Sequence, residues 1–318
     1  SGAATFVGKG GLSTRAGFLF ALSLVPGVML ALGLLEVLSH YGALKAAQKL
    51  MTPLLRPILG VPGITGLALI TDLQSTDAGA ALTKGLVDSK DHKENLIVIA
   101  GWQYAGAGLI NNYFSIASAL FMAFLVPVWI PLVVMFCLKF VGGVFVRFCL
   151  KTLYKKDFEN ANATATQVKK SNNPFDIFIT GLRKGFNVAI NNLMPNVLMA
   201  FVLAYILDLF GVMSFLGKVC GPVMSIFDLP GQAITVLCAT WLSCGAGVGV
   251  AASLLASGTL NAHDITILSP ALLLMASQIQ YMGRLLGVAD VPKKYWPMLM
   301  FNSILMASIG MLIMRFIV

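Results

Sequence analysis

Residues 231–261 read GQAITVLCATWLSCGAGVGVAASLLASGTLN, and the fold turns on how that stretch is taken. It is apolar enough to lie in a bilayer, yet its middle, Ser243-Cys244-Gly245-Ala246-Gly247-Val248-Gly249, does not suit an ordinary lipid-facing helix. Each glycine in a helix interior costs about 1 kcal/mol relative to alanine, and polar groups at membrane depth need partners that lipid does not offer. A broken or closely packed helix at a protein-lined site answers both. The same figure occurs at residues 63–89, where Asp72-Leu73-Gln74-Ser75-Thr76-Asp77-Ala78-Gly79 interrupts an apolar run. Two polar breaks, one in each half, point to one central site.

Composition sets the class. The 318 residues are 58% hydrophobic and 11% charged, against roughly 25% charged in a soluble domain, and mean hydropathy is +0.85. Long apolar runs broken by Pro and Gly, without alternating strand-length segments, make the chain all-α, a polytopic helical membrane protein and not a barrel. The net charge of +9 does not imply nucleic acid, because the basic residues sit in short loops and one linker beside apolar spans, as the positive-inside rule requires. Cys137, Cys149, Cys220, Cys238 and Cys244 lie singly in apolar segments, so neither a metal site nor a disulfide framework can be read from them. Gly8-Lys9-Gly10-Gly11 lacks the spacing of a phosphate-binding loop, and no cofactor is expected.

In order, residues 15–42 form a spanning helix containing Pro26, and 43–59 are patterned to lie along the interface with Lys45, Lys49 and Arg56. The first broken run reaches 87. Residues 96–110 carry Trp102, Gln103 and Tyr104 and close on Asn111-Asn112-Tyr113. Residues 114–138 read as a span bent by Pro127 and Pro131, with 139–150 extending it or lying at the interface. Residues 151–174 are a polar linker. Then come an amphipathic stretch (175–192), a span (195–210), an interfacial stretch (211–227) and the second broken run. Residues 265–275 re-enter the membrane, Gln278, Gln280 and Arg284 interrupt them, and 295–318 are the last span.

The two halves repeat one another. Pro26 pairs with Pro195, Gly42 with Gly211, Lys49 with Lys218 and Pro53 with Pro222 at an offset of 169, and Pro62-Gly63 with Pro230-Gly231 and Ala78-Gly79 with Ala246-Gly247 at 168. Further on the phase drifts, and Gln103-Tyr104 is matched with Gln280-Tyr281. Residues 1–150 are thus a first repeat and 175–318 a second. Positive charge follows the first span in one repeat and precedes it, at Lys169, Lys170, Arg183 and Lys184, in the other. That opposite bias implies inverted topology, with broken or re-entrant helices in each repeat.

The arrangement resembles the bacterial nucleoside-recognition or Gate-domain membrane proteins, which include the spore maturation proteins and the YjiH/YjiG pair. The second half carries the likeness, in Gly181-Leu182-Arg183-Lys184-Gly185-Phe186, Asn192-Leu193-Met194-Pro195-Asn196-Val197, Leu229-Pro230-Gly231, Gly247-Val248-Gly249-Val250-Ala251-Ala252-Ser253 and Gly283-Arg284. It looks like a complete YjiG-type protein, so that the whole chain resembles a fusion of two Gate-type subunits. The resemblance implies a transporter more firmly than any particular cargo.

An acid at membrane depth is a functional-site hypothesis. Asp72 is read as the ligand or proton carrier, and Asp77 as the cap of the second half-helix. Gln74, Ser75, Thr76, Ser243 and Cys244 stand at half-helix tips, where exposed N–H groups can hold an anionic group; close packing by Gly245, Gly247 and Gly249 is the other reading. Trp241 offers a stacking face or is simply core. Gln103, Asn111, Asn112, Gln278, Gln280 and Arg284 form the opposite wall, where Arg284 pairs with an acid such as Asp72, binds a substrate carboxylate, or snorkels. His263-Asp264 begins a helix. The expected function is a secondary transporter with a midplane site for a small polar metabolite, either a nucleoside or nucleobase or an amino acid or small peptide. Coupling to H⁺ or Na⁺, a homo-oligomeric state and a bacterial inner-membrane location complete the expectation. The alternative is a non-transporting gate, structural or signalling subunit. An enzyme is not expected, since no hydrolase motif surrounds Ser243, His263 or Asp264.

Overall fold

The computed structural model describes residues 14–87, 93–154, 173–195 and 221–318, with the single positions 198, 202 and 210. Among them every regular element is helical. Helix α1 (Thr14–His40) has 27 residues, or about 40 Å at 1.5 Å per residue. Helix α2 (Ala43–Leu59) follows and ends at Gly60, whose φ of 73° suits a residue without Cβ. The chain then turns by 98° into the next helix.

That next element is a hairpin of helices. Helix α3 (Gly66–Gln74) and helix α4 (Thr76–Val87) are joined by Ser75 alone, in extended conformation (φ −147°, ψ 109°). The second broken run repeats the figure. Helix α9 (Ala233–Leu242) and helix α10 (Cys244–Ala256) are joined by Ser243 (φ −161°, ψ 150°). Each hairpin caps its second arm identically, Ser75 Oγ accepting the Ala78 N–H (3.3 Å) and Ser243 Oγ the Ala246 N–H (3.0 Å). Both breaks are therefore places where the chain folds back on itself. The arms touch through glycine. A Cβ on Gly79 would lie 2.7 Å from Asp72 Cα, and one on Gly247 2.0 Å from Thr240 Oγ1. Gly245 and Gly249 face open space, so the close-packing reading holds for Gly247 and not for its two neighbours.

Two discontinuous helices embrace the hairpins. In the first, helix α5 (Lys93–Tyr104) unwinds over 105–108 before helix α6 (Leu109–Ser115). In the second, helices α11 (Ala262–Leu268) and α12 (Ala271–Leu274) unwind over 275–277 before helix α13 (Gln278–Tyr281), which continues as a π-turn over Met282–Gly287. The apolar window of this second span is 94% buried, so its irregular backbone meets protein instead of lipid, the condition under which a bilayer tolerates it. Asn261 and Asp264 form a capping box at the start of α11, the helix start expected of His263-Asp264.

Two uninterrupted spans, helix α7 (Trp129–Leu153) and helix α14 (Trp296–Ile317), pack beside α5. The expected span over 114–138 is corrected. Residues 117–123 are a 3₁₀ turn and α7 starts only at Trp129, because Pro131 falls in the first helical turn, where its missing N–H has no intrahelical partner to lose. Lys139 consequently stands near the middle of a span instead of at its end. Of the expected linker, residues 151–153 belong to α7 and 155–172 lie outside the described residues, as do most of 195–210 and 211–220.

Helix α8 (Pro174–Val188) crosses α1 at Gly181 and Gly185. A Cβ on either would come within 2.6 Å of α1 backbone atoms, the close approach for which a small-xxx-small motif is used. Lys184 pairs with Glu36 across this crossing.

The expected repeat phase needs one correction. Gly108 (φ 65°) donates its N–H to Asp72 O at 2.9 Å, and Ser277 (φ 52°) donates to Thr240 O at 2.8 Å. These two positions stand at the original offset, whereas Gln103-Tyr104 precedes its break and Gln280-Tyr281 follows its own. Gly108 is therefore matched with Ser277 at the offset of 169, in place of Gln103-Tyr104 with Gln280-Tyr281.

The glycine contacts yield a paired expectation. Gly79→Ala forces apart backbone that cannot yield and should cost about 1–3 kcal/mol, whereas Gly249→Ala meets nothing and should be neutral or stabilise by up to about 1 kcal/mol. Melting curves of the two purified variants check this; equal melting points would refute the hairpin packing.

Candidate functional site

The tips of both hairpins and both unwound segments meet around one cavity of ≈ 220 Å³. Gln74 and Thr76 come from the first tip, and Ser243, Cys244 and Gly245 from the second. Gly108, Asn111, Asn112 and Ile116 come from the first broken span, and Ser277, Gln280, Tyr281 and Arg284 from the second. Of the residues expected from sequence, Gln74, Thr76, Asn111, Asn112, Ser243, Cys244, Gln280 and Arg284 thus share one wall-to-wall space. Asp72, Ser75, Asp77, Gln103, Trp241 and Gln278 do not line it.

Most of those six serve the scaffold. Gln103 is fully buried, accepts from Thr83 Oγ1 (3.0 Å) and donates to Ala68 O (3.3 Å), tying α5 to both arms of the first hairpin. Gln278, also fully buried, donates to Ser303 Oγ at 2.6 Å. Trp241 is half-buried and packs against the apolar core.

The charge pairing differs from expectation. Arg284 makes a two-pronged contact with Asp77, Nη2 donating to Oδ2 (2.7 Å) and Nε to Oδ1 (3.1 Å), and Nη1 also donates to Gln280 Oε1 (3.4 Å). Asp77 therefore neutralises Arg284 and the capping role passes to Ser75. Asp72 is fully buried and faces Lys139, whose Nζ lies 3.5 Å from Asp72 Oδ2. Sequence reasoning missed Lys139 because its span was given the wrong start; a lone Lys at the centre of a long apolar run was the available signal.

The cavity walls are held by hydrogen bonds, two of which cross between the halves. Tyr104 Oη donates to Gln278 O (2.6 Å), and Tyr281 Oη donates to Ala107 O (3.2 Å). Gln280 Nε2 donates to Leu242 O at the end of α9 (2.8 Å), Asn112 Nδ2 to Ala107 O (3.1 Å), and Ser277 Oγ accepts the Cys244 N–H (3.3 Å). With Arg284 already paired, the lining presents amide, hydroxyl and backbone groups without net charge. Such a surface is chemically suited to hydrogen-bonding a small polar solute. Among the described residues no group of His, Cys, Asp and Glu is placed to hold a metal.

Comparison with known proteins places this geometry. A family model described as Gate, nucleoside recognition, matches residues 21–143 and 190–317. The inner membrane protein YjiG of Escherichia coli (strain K12) is 46% identical over 153 residues, 48% of this chain and 99% of YjiG. The uncharacterized protein YjiH of the same strain is 46% identical over 149 residues, 46% of this chain and 66% of YjiH. Among solved structures, a doubly substituted CNTnw in an outward-facing state superposes with a TM-score of 0.62 at 15% identity, covering 98% of this chain and 79% of that one. A singly substituted CNTnw in an intermediate state gives 0.54 at 17% identity, covering 96% of this chain and 79% of that one.

Removing Arg284 leaves the buried Asp77 charge uncompensated, at a cost of up to about 3–5 kcal/mol. Arg284→Ala should therefore melt well below the parent, and the neutral double variant Asp77→Asn/Arg284→Gln should recover part of the loss. A double-mutant cycle on melting checks this, and additive losses would exclude the pairing.

Proposed function

The chain belongs to the Gate, nucleoside-recognition, family, and from that premise we propose that it is a secondary transporter moving a small polar metabolite across the bacterial inner membrane. The observation that carries this reading is the convergence of two helical hairpin tips and two unwound spans on one polar cavity. Half-helices meeting at a protein-lined space are how membrane transporters present backbone groups to cargo. The fold shared with CNTnw supports it, as does the name of YjiG, an inner membrane protein.

Of the two cargo classes, a nucleoside or nucleobase is favoured over an amino acid or small peptide. Arg284 is engaged by Asp77, so the lining is neutral and rich in amide and hydroxyl groups, the chemistry that reads a base edge or a sugar. At ≈ 220 Å³ the space falls below the usual range of about 300–1,000 Å³ for ligand sites, which keeps the cargo small. Cargo movement is read as alternating access between two inverted repeats, 1–150 and 175–318, driven by H⁺ or Na⁺ and not by ATP. The recurring hairpins and the reciprocal Tyr104 and Tyr281 bonds support the repeat. The family matches two stretches of the chain, and YjiG corresponds to about half of it, which supports a fusion of two units. A homo-oligomer belongs to the same proposal.

Uptake into proteoliposomes, paired with melting in the presence of candidate cargo, tests the reading. A nucleoside or nucleobase at a hundredfold excess over its dissociation constant should stabilise by about 2.7 kcal/mol. The gain should vanish in Ser243→Ala and Gln280→Ala and survive in Trp241→Phe. Binding without uptake would favour the gate or signalling-subunit alternative, and a response confined to amino acids or dipeptides would overturn the choice of cargo.

A further inference from the structure

Helix α7 carries one ammonium into the fully buried interior, and its surroundings are more than an ion pair. Lys139 Nζ lies 2.8 Å from Gly106 O, 3.0 Å from Ala105 O, 3.4 Å from Gln103 O and 3.5 Å from Asp72 Oδ2. The ring centroid of Trp102 stands 4.1 Å away. The side chains of Lys139 and Asp72 are both 0% exposed. An ammonium has three N–H donors, so four oxygens and an aromatic face surround it more fully than hydrogen bonding alone requires.

The three carbonyls come from one place. They lie at the end of α5 and in the unwound turn, where the helical hydrogen bonds stop. Carbonyl oxygens released from helix and converging on a point are the means by which a protein replaces the hydration shell of an alkali cation. One carboxylate gives the shell a single negative charge, which matches a monovalent ion and not the divalent ions that gather several carboxylates. Asp72 joins this cage to the cavity, since its carboxylate faces Lys139 while its carbonyl accepts the N–H of Gly108 (2.9 Å), a cavity-lining residue.

We infer that the Lys139 ammonium is a tethered substitute for a dissociable monovalent cation, occupying a carbonyl cage at the α5–α6 break that would otherwise bind an alkali ion. A tethered charge holds the break in shape without any ion from solution. Removing it creates a vacant site of charge −1, open to Na⁺, Li⁺ or K⁺. On the transport reading, which this consequence alone rests on, cargo movement draws nothing from an alkali-ion gradient at this cage.

The test is melting of the full chain in detergent, in N-methyl-D-glucamine chloride against NaCl, LiCl and KCl. The parent should melt at the same temperature in all four. Lys139→Ala should melt roughly 5 °C or more below the parent without alkali ions and recover saturably with at least one of them, or with methylammonium. The double variant Asp72→Asn/Lys139→Gln, which keeps the volumes and removes both charges, should fold and show no ion response. Saturable alkali-ion stabilisation of the parent would overturn the inference. So would a Lys139→Ala protein indifferent to every ion, or one that folds in none of them while the double variant folds. Loss of cargo uptake with these ion responses intact would instead sink the transport reading and leave the cage standing.

Discussion

A helix that stops inside a membrane leaves backbone N–H and C=O groups that water cannot reach, and the middle of this molecule is arranged around satisfying them. At the first break the carbonyls of Gln103, Ala105 and Gly106 go to Lys139, and that of Ala107 to Tyr281 and Asn112. At the second, Leu274 O accepts from Ser303 Oγ (2.6 Å), and Gln278 O accepts from Tyr104. The freed N–H groups of Gly108 and Ser277 each go to a carbonyl on the first arm of a hairpin. One break thus uses a charged donor where the other uses a hydroxyl, and each depends on a tyrosine lent by the other half. The cavity exists because its walls are closed in this way.

Electrostatics follow the same economy. Two buried carboxylates meet two cations, Asp72 with the fully buried Lys139 and Asp77 with the partly buried Arg284, and each pair joins a hairpin to a span. A pair of this kind adds little net stability but makes any other partner costly. It therefore fixes which element sits beside which, and leaves the cavity between them polar and without net charge.

The polar breaks were legible in the sequence because glycine and polar residues inside an apolar run have few solutions in a bilayer. Ser243 and Ser75 stood out for that reason, and eight of the residues they pointed to share the cavity. Partner choice was not legible. Asp77 and Arg284 are 207 residues apart, and which acid meets Arg284 depends on the hairpin doubling back, a fact of tertiary structure that no spacing contains. Lys139 stayed hidden because Pro127 and Pro131 read equally well as bends within a span and as the approach to its first turn. Among the glycines, composition marked Gly245, Gly247 and Gly249 alike; only the fold singles out Gly247, whose missing Cβ lets the arms touch.

The contact at Gly79 and its counterpart at Gly247 has a mechanical side. Arms that touch through a glycine and are joined by a single residue have little room to slide or splay, which favours each hairpin moving as one body over flexing as a loop. Displacement at a tip would then reach the base of the hairpin. For the first hairpin that base is the 98° corner before α3, beside Gly60, a residue of the kind that absorbs large backbone rotations. On the transport reading, the corner and the cargo-facing tip would stand at opposite ends of the same arm.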